Sequence, residues 1–137
     1  MASDIERGCA EAEAHIALVH RFYAEIWNEG HLEHWSDFLD EDEPLDALDA
    51  SRGTYQAFII RTRRAYPDLH WTVQAVIANG DSVAWHASVE RTNSETGQRE
   101  RIDTMTLCRV VRGKLTERVG YVGPSRPVAP APPHPTT

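Results

Sequence analysis

The chain lacks the features that mark most metal, nucleic-acid and membrane proteins. Its 137 residues contain only two cysteines, and Cys9 and Cys108 stand too far apart for a metal or redox motif. Acidic residues outnumber basic ones by 21 to 14, whereas nucleic acid and anionic membranes require a basic surface. No hydrophobic run is long enough to span a bilayer. We therefore expect no nucleic-acid partner and no membrane partner. The two cysteines suit either a disulfide pair or two buried thiols, and the absence of an export signal favours the thiols.

Motifs for cofactors and covalent catalysis are also missing from the sequence. It has no glycine-rich phosphate loop, no Cys–His nucleophile pair and no serine nucleophile elbow. His15 and His20 do not share a helix face, and His31 and His34 lack a third metal ligand. The first residues do not form a basic, apolar leader, which predicts a cytoplasmic protein. We expect no cofactor and no metal, so that any catalysis is acid–base chemistry.

The hydrophobic periodicity predicts helices first and strands afterwards. Apolar residues recur at helical spacing over residues 4–28, 32–39 and 54–65, with Ser3 or Asp4 as the first cap and Gly30 as a stop. Residues 45–49 fit a short strand or a loop. Alternation predicts strands over residues 69–78, 82–92, 99–111 and 114–122. This order predicts a single α+β domain over residues 1–123, followed by a proline-rich tail over residues 124–137 that cannot enter a sheet interior.

The strand over residues 82–92 is the most informative segment. One face carries Val83, Trp85, Ala87 and Val89, and the other carries Ala84, His86, Ser88 and Glu90. Imidazole is a side chain suited to acid–base chemistry, so the second face, which carries His86, is either solvated surface or the wall of a reactive pocket. Both faces of the later strands carry apolar residues, and three helices cover only one face. We therefore expect a homodimer.

Several segments together resemble the SnoaL-like part of the NTF2-like superfamily. They are residues 21–30 (Arg-Phe-Tyr-Ala-Glu-Ile-Trp-Asn-Glu-Gly), Phe58, residues 66–69 (Tyr-Pro-Asp-Leu), residues 80–84 (Gly-Asp-Ser-Val-Ala) and residues 107–117 (Leu-Cys-Arg-Val-Val-Arg-Gly-Lys-Leu-Thr-Glu). The resemblance implies three helices packed on a curved, mostly antiparallel sheet that encloses a conical pocket. It also implies that Ala84, His86 and Ser88 face the pocket, which leaves the Trp85 face as the subunit interface.

The same resemblance suggests a set of catalytic residues like those of ketosteroid isomerases. Asp103, held protonated in an apolar pocket, and Tyr23 would donate hydrogen bonds to a developing enolate. Asp46 would move the proton, with Asp49 as its rival and His86 as another carrier. Competing interpretations remain, because Tyr23 also suits a core, Asp103 also suits an ion pair with an arginine, and Asp46 lies in an acidic run that suits solvent.

Other residues are candidates for substrate contact. They are Trp27, Ser88, Met105, Leu107, Arg118 and Val122, of which Trp27 also suits the core and Arg118 also suits a rim ion pair.

The predicted function is that of a cofactor-independent isomerase or cyclase. Its substrate would be a hydrophobic, oxygenated small molecule of polyketide or terpenoid type. The alternative is a non-catalytic small-molecule-binding or assembly module of the same fold, because the last strand has Gly120 where related cyclases carry an acid. A weaker alternative is epoxide opening with altered catalytic acids. It is weaker because the epoxide hydrolase pattern requires Arg and Asp where this chain has His86 and Ser88.

Overall fold

The helices precede the sheet in the computed structural model, which describes residues 3–39, 51 and 53–128. Helix α1 spans Asp4–Arg21 and begins at Ser3, whose hydroxyl accepts a hydrogen bond from the Glu6 amide while the Glu6 carboxylate accepts one from the Ser3 amide. The chain continues as a π-helix over Phe22–Asn28. A 3₁₀-helix spans Leu32–Asp37 and helix α2 spans Tyr55–Ala65. None of these described helices is both long and apolar enough to cross a membrane.

Four long antiparallel strands follow in the order of the chain. Strands β1, β2, β3 and β4 span His70–Asn79, Ser82–Thr92, Arg99–Val111 and Lys114–Val122. The beginning of the proline-rich tail adds a two-residue strand, β5 (Arg126–Pro127), which pairs with β3 at the sheet edge, where proline is tolerated. Within the described residues, three helical segments on a curved, open antiparallel sheet confirm the predicted α+β cone. The predicted segment 45–49 lies outside the described residues.

The inner face of the sheet, which packs against the helices, is the face that carries Trp85. Val83, Trp85 and Ala87 are buried in one cluster with Val19 and Ile26 of the first helical segment. The Trp85 indole donates a 2.8 Å hydrogen bond to the Tyr23 hydroxyl. The prediction that the Trp85 face forms a subunit interface is therefore wrong, because the chain's own helices cover it.

A β-bulge in β1 exchanges the two faces of that strand. The register shifts between Val73 and Ala75, and the bulged Gln74 donates from its amide to the Ser88 hydroxyl at 2.9 Å. Beyond the bulge Val76 packs against the core, whereas Ile77 is 71% exposed. The uninterrupted alternation predicted through Ile77 is wrong for this reason.

The end of the π-helix is held by Arg63 of α2. Its guanidinium donates to the carbonyl oxygens of Trp27 at 2.9 Å and Asn28 at 3.3 Å. The chain then turns at Gly30, which has a φ of +76°. A Cβ at this position would stand 2.6 Å from the Arg63 Cζ. Gly30 thus provides both the left-handed turn and the space for the guanidinium.

We expect Gly30→Ala to destabilise the fold by about 2–4 kcal/mol, because it adds left-handed strain and displaces the two Arg63 hydrogen bonds. The measurement is urea unfolding followed by circular dichroism. Gly80→Ala is the matched control, since Gly80 also has a positive φ, of 61°, but nothing lies within 4 Å of an added Cβ. That control should lose only about 1 kcal/mol. Equal losses in both variants would show that Arg63 has no part in the effect.

The outer face of the sheet, opposite the helices, carries an apolar row. The register places Ile77, Ala84, Leu107 and Val119 side by side across β1 to β4, and Ile77, Leu107 and Val119 are each more than half exposed. A contiguous apolar patch on a monomer is typical of an interaction surface. A row of this kind across a sheet can pack against itself about a two-fold axis. The homodimer stays a prediction, and the outer face is the surface we now assign to it.

We expect the wild-type chain to sediment with about twice its 15.4 kDa mass and Leu107→Arg to sediment as a monomer. Analytical ultracentrifugation measures both. Ile5→Arg is the control, because Ile5 is 80% exposed but lies on α1. A wild-type monomer, or a Leu107→Arg dimer, would contradict the assignment.

Candidate functional site

A cavity of about 480 Å³ lies between the helices and the inner face of the sheet. Aromatic rings form most of its helical wall, and polar side chains alternate with apolar ones along the strands. The lining residues from the helices are Tyr23, Trp27, Tyr55, Phe58 and Thr62, and those from the strands include Trp71, Val89, Arg91, Ile102, Thr104, Thr106, Arg118, Gly120 and Val122. Such a cavity has the size and the mixed lining of a small-molecule site.

Tyr23 supplies a protonated hydroxyl to the cavity wall. The π-helix directs the Tyr23 side chain inward, where its hydroxyl oxygen accepts a hydrogen bond from the Trp85 indole. Burial raises the pKa of the Tyr23 hydroxyl above its usual range, and the neighbouring Tyr55 acts in the same direction. The group therefore stays neutral and serves as a hydrogen-bond donor or acceptor rather than as a base.

A second polar group is built from Trp27, Tyr55 and Arg118. The Trp27 indole donates to the Tyr55 hydroxyl at 3.2 Å. The Arg118 guanidinium lies over the Tyr55 ring, with its Cζ 3.7 Å from the ring centroid. This contact is a cation–π interaction and holds a half-buried positive charge at the cavity wall.

Trp71 and Arg91 complete the polar lining. The Trp71 ring lies 5.2 Å from the rings of both Tyr23 and Trp27, and its buried indole N–H has no acceptor among the described residues. The Arg91 guanidinium covers the Tyr66 ring at 3.7 Å and is paired with Glu100 at 3.0 Å. The charge of Arg91 is therefore already matched by a carboxylate.

The structure brings together four of the predicted site residues. Tyr23, Trp27, Arg118 and Val122 all line the cavity, with Val122 exposed at its mouth. Asp46 and its rival Asp49 lie outside the described residues.

The other predicted site residues point to the outer face. His86, Ser88, Asp103, Met105 and Leu107 alternate with the inward residues of β2 and β3, so that they lie on the side of the sheet away from the cavity. The prediction that they line a pocket is wrong. The prediction fails because Val83, Trp85 and Ala87 are buried against the helices. The residues that alternate with them along β2 therefore face away from the helices and the cavity. Ser88 is buried and bonded to Gln74, while Met105 and Leu107 are about half exposed.

Asp103 is an ionised member of a charged cluster rather than a neutral acid. His86 Nε2 lies 2.8 Å from one carboxylate oxygen, Arg101 donates to the same oxygen at 3.0 Å, and Arg126 donates to the other. The His86 hydrogen bond, followed by that of Arg101, lowers the pKa of Asp103 to about 2. The expectation of a protonated Asp103 in an apolar pocket is therefore wrong, and the competing ion-pair interpretation describes what this carboxylate does.

The sequence prediction missed several cavity residues, most clearly Tyr55, Trp71, Arg91 and Thr104. For Arg91 and Thr104 a signal was present in the alternation of the strands. Once Trp85 is taken as inward, Arg91 on β2 follows on the same face, and the register of β3 adds Thr104 and Thr106. No group of three histidine, cysteine, aspartate or glutamate side chains in the described ranges is arranged to hold a metal ion.

An α+β cone with an aromatic cavity on its inner face is the class of protein that these features define. The family model of the SnoaL-like polyketide cyclases matches residues 17–123, which contain every element that lines the cavity. The chain belongs to the SnoaL-like polyketide cyclase family. No curated protein sequence matches it.

Solved structures of similar fold carry different assignments. A proposed polyketide cyclase from Bacillus cereus is 21% identical, with a TM-score of 0.69 over 88% of this chain and 78% of its own. IdmH, a proposed polyketide cyclase from Streptomyces antibioticus, is 22% identical, with a TM-score of 0.65 over 77% of this chain and 89% of its own. AclR, a proposed hydroxylase from Streptomyces galilaeus, is 26% identical, with a TM-score of 0.57 over 78% of this chain and 77% of its own. The fold is thus common to proteins assigned to different reactions.

We expect Asp103→Asn to lower stability by about 1–2 kcal/mol at pH 5 and by about half as much at pH 3. Because the folded pKa is depressed, the stabilisation is complete above the usual carboxylate pKa and is lost as the pH falls towards 2. Urea unfolding at the two pH values measures it. Asp37→Asn, at an exposed carboxylate, is the control and should show no such change. An Asp103→Asn deficit that is the same at both pH values would contradict the charged cluster.

Proposed function

We propose that this SnoaL-like protein binds a hydrophobic, oxygenated small molecule in the aromatic cavity and catalyses its isomerisation or ring closure without a cofactor. The observation that carries this proposal is the composition of the cavity wall. Aromatic rings supply apolar area for a polyketide- or terpenoid-type body, and the Trp71 indole, the Tyr23 hydroxyl and Arg118 are the groups that would meet its oxygens. The assignments of IdmH and the Bacillus cereus protein support the same class of reaction.

The chemistry would be the stabilisation of an enolate-like oxygen. A neutral hydroxyl and a guanidinium favour negative charge that develops on a carbonyl oxygen. Tyr23 is held in that neutral form by burial. Proton transfer from carbon also requires a base. Asp46 remains the predicted base, with Asp49 as its rival, whereas the position of His86 on the outer face argues against it.

A second candidate function is ligand binding without catalysis. The specific observation in its favour is that the described residues of the cavity wall include no carboxylate and no imidazole. A wall of this kind can hold a ligand and has no group of suitable pKa to remove a proton from carbon. The two candidates therefore differ in proton transfer and agree in ligand binding.

Deuterium exchange at the α-carbon of 2-tetralone, a bicyclic ketone, separates the two candidates. We expect the wild-type protein to accelerate this exchange by roughly 10²-fold over buffer, measured by proton NMR in D₂O. Asp46→Asn should abolish the acceleration, whereas Asp49→Asn is the matched control, in the same acidic run, and should retain it. His86→Ala should retain it as well.

Binding of 2-tetralone is followed in parallel by tryptophan fluorescence, because Trp27 and Trp71 line the cavity. Binding without accelerated exchange would favour the second candidate. Loss of exchange in His86→Ala would contradict the assignment of chemistry to the inner face.

A further inference from the structure

An arginine of the cavity wall is connected to the first residues of the proline-rich tail. Arg91 lies opposite Glu100 in the register of β2 and β3, two residues beyond the cavity-lining Val89. Arg91 Nε donates to one Glu100 oxygen at 3.0 Å, and both side chains are largely buried. The other Glu100 oxygen accepts a 2.9 Å hydrogen bond from the Ser125 hydroxyl. One chain of hydrogen bonds therefore joins the tail to the cavity wall.

The beginning of the tail is held in place by backbone and side-chain contacts. Strand β5 pairs with the start of β3, and the Val128 amide donates to the Arg99 carbonyl oxygen at 3.0 Å. Arg126 contributes to the charged cluster on the outer face of the sheet, whereas Ser125 donates to the inward Glu100. The tail thus makes two separable side-chain contacts, one with a carboxylate on each face of β3.

The contacts of Arg91 orient its guanidinium as a hydrogen-bond donor. The guanidinium covers the Tyr66 ring at 3.7 Å, and among the described residues Nε is the nitrogen that has a protein acceptor. Its two terminal amino groups carry four further N–H donors. The Ser125 hydrogen bond, followed by that of Arg91, lowers the pKa of Glu100, so the carboxylate is ionised and balances the guanidinium. A charge-balanced guanidinium suits a neutral acceptor such as a ketone oxygen.

We propose that Arg91 donates to a neutral carbonyl oxygen of the ligand and that the tail, through Ser125 and Glu100, positions Arg91 for this contact. This inference rests on the proposed function, because it assigns a further polar contact to the ligand of the same cavity. Arg91 would be a ligand-binding residue, whereas Ser125 and Glu100 would be positioning residues that act through its guanidinium. Loss of the Ser125 hydroxyl would allow the Glu100 carboxylate to rotate, and the Arg91 donors would then no longer be held at the cavity wall.

The test compares 2-tetralone with tetralin, which has the same bicyclic body without the carbonyl oxygen. Quenching of tryptophan fluorescence at pH 7 gives both dissociation constants. The double variant Arg91→Met, Glu100→Leu removes both charges and leaves no buried ion unpaired, so it should fold. We expect it to bind 2-tetralone about tenfold more weakly, with little change for tetralin. Ser125→Ala should weaken 2-tetralone binding about threefold, again with little change for tetralin, and Ser125→Thr, which keeps the hydroxyl, should bind as the wild type does.

Arg126→Met is the matched control, because it removes the tail contact on the outer face and leaves the Ser125 hydroxyl in place. It should leave the ratio of the two dissociation constants unchanged. An unchanged ratio in Ser125→Ala, or an equal change in Ser125→Ala and Arg126→Met, would overturn the positioning role of Ser125. An unchanged ratio in the double variant would overturn the role of Arg91 and leave the proposed function standing. Failure of the wild-type protein to bind 2-tetralone would overturn the proposed function together with this inference.

Discussion

The hydrogen bond between the Trp85 indole and the Tyr23 hydroxyl fixes which face of the sheet turns inward. Both side chains are almost fully buried, and a buried indole N–H without an acceptor would cost about 1–3 kcal/mol. The bond joins β2 to the π-helix, and the pleat then determines which way the other side chains of β2 point. Val83, Ala87 and Val89 follow Trp85 inward. His86 and Asp103 must then lie outward, however well their chemistry would suit a catalytic site.

The sequence was sufficient to predict the elements and their order. Strand periodicity and the cap at Ser3 are local signals, and the predicted bounds of the four long strands lie within one residue of those in the structure. The assignment of faces is not local, because it depends on which side the helices cover. The resemblance was used to assign Ala84, His86 and Ser88 to the pocket, which is the wrong side. The bulge at Gln74 has no sequence signal comparable with a turn, and it reverses the faces of β1 halfway along the strand.

The same distinction explains which site residues could be predicted. Tyr23 was predicted from the resemblance, Trp27 from its position one helical turn after Tyr23, and Arg118 from the parity of β4, and all three do line the cavity. Asp103 was expected to be protonated because the resemblance to ketosteroid isomerases places an acid at this position in an apolar pocket. Its real environment includes Arg126, a residue 23 positions away that arrives only because the tail forms β5 beside β3. A titratable group is governed by charges within a few ångströms, and these come from elements that the local pattern does not place together.

The aromatic rings of the cavity wall are positioned by hydrogen bonds between the elements that carry them. Tyr23 and Trp27 lie four residues apart in the π-helix and therefore share a face. The end of that helix is held by Arg63, and the Asn28 side chain exchanges two hydrogen bonds with the Trp71 backbone, at 2.8 and 3.0 Å. One turn of chain thus sets the positions of three aromatic rings that lie on two different elements. A ligand that meets such a wall loses little affinity to rearrangement of the protein, so that selectivity depends on where its oxygens lie relative to the fixed donors.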